Sequence, residues 1–271
     1  MPSGIVSVVI AKSFTAGLVL AGLLAGCASH PHGITAPDNK ALPTPAAGQQ
    51  SAQFFATQIR RDVQLKYLLY LPKNYYTDPT QRFPLVLFLH GAGERGTDLQ
   101  KVTVHGPQKL AAAGQDLPYI LVSPQCPDGQ VWDDEALFKL LEQVEATWRI
   151  DPRRIHVTGL SMGGSGTWAM ITKHPELFAS AAPICGSGDR VRPLLYTTAQ
   201  REALKSLSIR VYHGGKDSTV PLSESERMVD QFKRSGAADI QLTVYPEAGH
   251  DAWTQAYGTP AFFEWMLQQH R

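Results

Sequence analysis

Three residues able to do acyl chemistry, Ser161, Asp217 and His250, stand in that chain order, each just beyond an apolar stretch. Ser161 lies in Gly159-Leu160-Ser161-Met162-Gly163, a G-x-S-x-G run. The β-branched segment Arg154-Ile155-His156-Val157-Thr158 precedes it, and the helix-like Ser165-Gly166-Thr167-Trp168-Ala169-Met170 follows. A strand that turns sharply into a helix holds a serine at the tip with its Oγ exposed, and flanking glycines keep Cβ atoms off the adjacent backbone. Asp217 follows Ile209-Arg210-Val211-Tyr212 within His213-Gly214-Gly215-Lys216-Asp217. His250 ends Pro246-Glu247-Ala248-Gly249-His250, after the alternating Ile240-Gln241-Leu242-Thr243-Val244-Tyr245. If the apolar stretches are parallel strands, the three side chains gather along one sheet edge. Ser161 would then attack a carbonyl, His250 would take its proton and return it to the leaving group, and Asp217 would hold the imidazole and balance its charge. Taken singly, Asp217 reads as a turn former and His250 as a surface histidine; the three in register favour catalysis. Asp189, beyond the preceding strand, is the alternative acid.

A developing oxyanion needs N–H donors, and a glycine-rich loop after a buried strand supplies them. Phe83-Pro84-Leu85-Val86-Leu87-Phe88-Leu89 is continuously apolar, as a central strand covered on both faces must be, and it opens into His90-Gly91-Ala92-Gly93-Glu94-Arg95-Gly96. The backbone amides of Ala92 and Met162 are the expected pair, with Gly93 the substitute for Ala92. His90, Glu94 and Arg95 read as groups that brace the loop.

These residues and motifs resemble the α/β-hydrolase superfamily, and within it the bacterial esterases with an HGxGERG loop (phospholipase/carboxylesterase-like or predicted-peptidase group). His90 to Gly96 and Pro183-Ile184-Cys185-Gly186 carry the likeness, which runs from about Val63 to Trp265. The resemblance implies a central, mostly parallel eight-stranded sheet with helices on both faces, serine-ester chemistry and no cofactor. It leaves the substrate open among short-chain and polysaccharide-linked esters, with a peptidase of the same fold and a non-catalytic envelope lipoprotein as alternatives.

The elements that must hold the set fit that order. Residues 53–60 and 64–71 read as an antiparallel pair, and residues 104–114, 134–148, 163–174, 222–235 and 260–270 as helices. Pro152 and Pro175 mark turns. Between Pro183 and Ile209 the chain has room for a short helix near residues 200–205 but not for a large lid. Trp132 and Trp253, in loops beyond strand ends, are candidates to line the substrate, whereas Trp148, Trp168 and Trp265 read as core. Arg190 and Arg192 read as solvated charge. Cys126 and Cys185 are a pair that could bridge or stay as thiols. No Cys/His cluster has metal-ligand spacing, so no metal is expected.

The N-terminus differs from the rest. Residues 14–25 are apolar, too few to span a bilayer, and end in Leu24-Ala25-Gly26-Cys27, which resembles a bacterial lipobox. The expected organisation is a lipoprotein signal peptide over 1–26, a lipid anchor on Cys27 with a flexible Pro/Ala/Gly tether over 27–50, and a catalytic domain over 51–271. This places the protein in a bacterial cell envelope, held to the membrane by N-terminal lipid alone, and the Ala28 that follows favours the outer membrane. A net charge of +1 gives no argument for nucleic acid, and 271 residues with 43% hydrophobic content suffice for one large core.

Overall fold

The computed structural model describes residues 55–271, together with residues 47, 48 and 50. The signal peptide, Cys27 and most of the tether lie outside the described residues. The unit Asp62–Arg271 carries every strand and helix described.

Its strands are β1 (Tyr67–Tyr70), β2 (Phe83–Leu89), β3 (Ile120–Pro124), β4 (Ile150–Leu160), β5 (Ser180–Ile184), β6 (Ser208–Gly214) and β7 (Asp239–Tyr245). They form one seven-stranded sheet in the order β1-β3-β2-β4-β5-β6-β7, in which only the β1–β3 pairing is antiparallel. The helices are α1 (Gly106–Ala112), α2 (Asp134–Thr147), α3 (Met162–Lys173), α4 (Thr198–Ser206), α5 (Leu222–Ser235), α6 (Trp253–Tyr257) and α7 (Pro260–Gln268). Alternate residues of β2 enter two cores. Leu85, Leu87 and Leu89 pack with Leu137, Trp168 and Phe232 of α2, α3 and α5. Val86 and Phe88 pack with Tyr257, Phe262 and Met266 of α6 and α7. This two-sided burial explains the unbroken apolar run of β2.

Among the described residues the sheet has seven strands rather than the eight expected, and residues 55–60 form no strand. That stretch offers only Phe55 and Ile59 as large apolar residues, too little to offset the ordering of another edge strand. Pro152 does not mark a turn but lies within β4, near an irregularity in the β2–β4 ladder. It can do so because proline is tolerated where a ladder bond is already interrupted. The strand order reverses at β2 and β4: β2 is followed by β3 on one side, then the chain returns past β2 to β4. In open α/β sheets, the crevice beyond the carboxyl ends at such a switch point is where ligands bind. Here the loop after β2 and the turn after β4 meet.

Candidate active site

Ser161 occupies the turn between β4 and α3 with φ 53° and ψ −116°, a left-handed backbone in a residue that is not glycine. Its amide donates to the Ile184 carbonyl of β5 at 2.8 Å, which ties the turn to the neighbouring strand. Gly163 is required by close approach, since a Cβ there would lie 1.9 Å from the Leu89 carbonyl oxygen of β2. Asp217 and His250 come from the loops after β6 and β7, which are laced together: Gly215 N–H donates to Tyr245 O at 2.8 Å and Lys216 N–H to Ala248 O at 2.9 Å. Gly214 allows this, because a Cβ there would meet the Gly249 carbonyl oxygen at 1.9 Å.

The three side chains form one relay. Ser161 Oγ and His250 Nε2 are 2.8 Å apart, and His250 Nδ1 lies 2.7 Å from Asp217 Oδ2. Because the carboxylate can only accept, Nδ1 carries the proton and Nε2 accepts from the serine hydroxyl. Asp217 Oδ1 accepts from the amides of Thr219 and Val220, each at 2.9 Å. Burial works to raise the Asp217 pKa. The bond from His250 and the two amide donors outweigh it, and the net shift is below the ordinary aspartate value. Asp189, the alternative acid, instead accepts from the amides of Val191 and Arg192 at 2.8 and 3.2 Å and lies exposed.

Ala92 and Met162 each begin a helical turn, Ala92 a 3-10 turn over Ala92–Glu94 and Met162 helix α3. A first-position N–H has no acceptor within its own helix and stays available to a ligand. The loop carrying Ala92 is braced as expected. His90 is buried; the Cys126 amide donates to its Nε2 at 3.0 Å, so Nδ1 carries the proton and donates to Gly91 O at 2.6 Å. Burial lowers the His90 pKa, which keeps the ring neutral. Arg95 Nε donates to Ala92 O at 2.9 Å and fixes that peptide.

The two candidate tryptophans part company. Trp132 is 9% exposed and donates from Nε1 to His90 O at 3.0 Å, its ring edge-on to the His90 imidazole at 4.8 Å. It therefore braces the loop that carries Ala92; a buried indole N–H needs a partner, and the His90 carbonyl supplies it. Trp253 stays half-buried with its ring perpendicular to His250 at 5.2 Å, beside the relay.

The sequence reading missed one neighbour of the acid and placed a second, Cys185, near the site's edge. His213 is fully buried; its Nε2 donates to Val220 O at 2.9 Å and lies 3.3 Å from Asp217 Oδ2, while Nδ1 accepts from Ser225 Oγ at 2.7 Å. Its place near the end of β6, four residues before Asp217, was the available signal. Cys185 brings its Sγ within 4.8 Å of ligand atoms of Asp217 and His250. Both Cys185 and Cys126 are buried free thiols, not a disulfide. Burial pushes the Cys185 thiol up to about 11, so it stands as a protonated S–H.

Comparisons with known proteins bear on the fold and the family. The chain is 26% identical over 224 residues to poly(3-hydroxyalkanoate) depolymerase C of Paucimonas lemoignei, covering 65% of this chain and 51% of that one. It is 24% identical to dipeptidyl peptidase family member 1 of Caenorhabditis elegans, over 71% of this chain and 28% of the relative. The chain thus spans about half or less of the length of these curated relatives. A thermostable esterase crystal structure superposes with a TM-score of 0.63 at 32% identity, over 77% of this chain and 60% of that one. The mostly parallel sheet with helices on both faces is the α/β-hydrolase fold. The dienelactone hydrolase family matches residues 121–258, a span that holds Ser161, Asp217 and His250 and makes up just over half of the sequence; the chain belongs to that family.

Proposed function

We propose that the protein is a serine esterase that hydrolyses carboxylic esters, with short-chain or carbohydrate-linked acyl groups, through an acyl-enzyme. The observation that carries this reading is the continuous relay Ser161–His250–Asp217, with bonds of 2.8 and 2.7 Å, at the turn between β4 and α3. In the first half-reaction Ser161 Oγ attacks the ester carbonyl as His250 Nε2 takes its proton. The oxyanion forms against the amides of Ala92 and Met162, and His250 then protonates the departing alkoxide. Water repeats the sequence on the acyl-enzyme and releases the acid. Asp217 stays anionic throughout and balances the imidazolium.

On the same proposal, residues 51–271 are the catalytic domain and Cys27 carries the lipid that holds it, through the 27–50 tether, in a bacterial envelope at the outer membrane. The lipobox-like Leu24-Ala25-Gly26-Cys27 supports that reading. Among the described residues no helix is long and apolar enough to cross a membrane. The peptidase alternative has a dipeptidyl peptidase relative behind it, matched over only 28% of that relative's length.

The test is hydrolysis of p-nitrophenyl acetate and of a matched p-nitroanilide by the full chain. The ester should turn over, and Ser161→Ala should lower kcat by about four to six orders of magnitude. Ester turnover that survives Ser161→Ala, or a faster rate on the anilide, would overturn the reading.

A further inference from the structure

β6 runs into the loop of the acid with Ile209, Val211 and His213 on one face, because side chains alternate along a strand. Ile209 and Val211 pack in one core with Met228 and Phe232 of α5. Farther along, the same two elements meet through polar groups. His213 Nδ1 lies 2.7 Å from Ser225 Oγ of α5, and both residues are fully buried.

An apolar pair would fill that space without needing partners. The chain instead keeps a serine and an imidazole, with both ring nitrogens satisfied. His213 Nε2 donates to Val220 O at 2.9 Å. A carbonyl oxygen can only accept, so the Nε2 proton is fixed, and the Ser225 hydroxyl, donating to Nδ1, selects that tautomer.

The pair reaches Asp217 by two routes. Val220 is held at both ends: its carbonyl takes the His213 proton, and its amide donates to Asp217 Oδ1 at 2.9 Å. The Thr219 amide donates to the same oxygen, so residues 217–220 wrap the carboxylate and His213 grips the far end of the wrap. The other oxygen, Oδ2, receives His250 Nδ1 at 2.7 Å and has His213 Nε2 3.3 Å away. The polar edge of one imidazole thus flanks the oxygen that steadies the other.

We propose that His213, set by Ser225, is a positioning residue for the hydrolysis. It touches no reacting atom and acts by holding Asp217 so that Oδ2 stays in line with His250 Nδ1. The inference rests on the esterase reading above and adds the support of its acid. A role exerted through proton transfer shows in kcat rather than in KM. The experiment measures both constants on p-nitrophenyl acetate, together with the downfield proton NMR line of His250 Nδ1–H, in the full chain and its variants. His213→Leu removes both ring nitrogens, His213→Gln returns an amide N–H near the place of Nε2, and Ser225→Ala frees the tautomer. With His213→Leu, kcat should fall about a hundredfold, the cost of roughly an ångström of misplacement, and KM should change little. Ser225→Ala should lower kcat by up to about tenfold, the range of one lost hydrogen bond. His213→Gln should recover most of the loss. The proton line should shift or vanish in His213→Leu and persist in His213→Gln. If His213→Leu does not fold, His213→Asn, too short to reach Val220 O, takes its place. An unchanged kcat and proton line, a loss that falls on KM, or a His213→Gln no better than its apolar counterpart overturns the positioning role. Failure of the wild type on the ester overturns the esterase reading instead, and the proton line then judges His213 by itself.

Discussion

At Ser161 the chain holds a β-carbon where L residues rarely go, with φ 53°. Strain of this kind costs on the order of 1–3 kcal/mol and persists only where the surroundings over-determine it. Here the Ile184 carbonyl, which accepts from the Ser161 amide, and the Leu89 carbonyl, which crowds Gly159 and Gly163 on either side of it, do so. Ser161→Gly should therefore abolish ester turnover yet raise the unfolding free energy by about 1 kcal/mol, read from denaturant midpoints; a destabilised glycine variant would show that the turn is not strained. The acid can be assigned by the same kind of comparison. Asp217→Asn keeps the shape but loses the charge facing His250 and should cost about 10⁴ in kcat. Asp189→Asn disturbs only a bend and should cost less than about tenfold. The reverse ranking would move the acid to Asp189. These residues were readable in the sequence because each chemical role fixes a residue type and a place just past a strand. The bracing bond of Trp132 was not readable, because the partner of its N–H, His90 O, is remote in sequence and visible only in three dimensions.

Strands and helices were legible where burial imposes a pattern. β2 and α5 match their sequence reading residue for residue, because one is covered on both faces and the other carries a strongly amphipathic stripe. Short or weakly patterned pieces were not: α6 has five residues, and the absent strand over residues 55–60 had too few apolar side chains to be placed. β4 shows what pattern alone hides, since His156 within it is fully buried, with Nδ1 2.9 Å from Ser180 Oγ. Burial, aided by the nearby Arg154 charge, drives its pKa down to about 3. The folded pKa lies below the unfolded one, so on acidification the unfolded chain takes up the proton first. The stabilisation is complete above the free-histidine value of about 6.5 and is lost as pH falls toward 3, by on the order of 1 kcal/mol per pH unit. His90, also lowered by burial, adds to the same slope. Thermal melts from pH 7 to 4 should fall less steeply for His156→Gln than for the wild type. Parallel curves would show that His156 protonates in the folded state at its ordinary pH.

On the scale of the whole molecule, the segment that could cover the sheet's switch point is the one between β5 and β6. Between β5 and β6 the chain forms a 3-10 turn over Arg192–Leu195 and helix α4, whose Leu204 is buried against the core. The large apolar side chains this segment exposes are Val191, Leu194 and Leu195, a cluster too small to cover an acyl groove. An extensive apolar groove left open to water is something folded domains avoid, so the acyl pocket should be short. Each methylene buried would add about 0.8 kcal/mol of binding, and each left in water would add nothing. With p-nitrophenyl esters, kcat/KM should accordingly peak at acyl chains of about two to four carbons, the length beyond which further methylenes remain in water. The rate should also pass through the substrate's solubility limit without a jump, because no cover has to open onto an interface. A series that climbs through octanoate and decanoate, or activation by an emulsion, would mean that the segment between β5 and β6 rearranges into a lipase-like groove, and the lidless description of the fold would have to be given up.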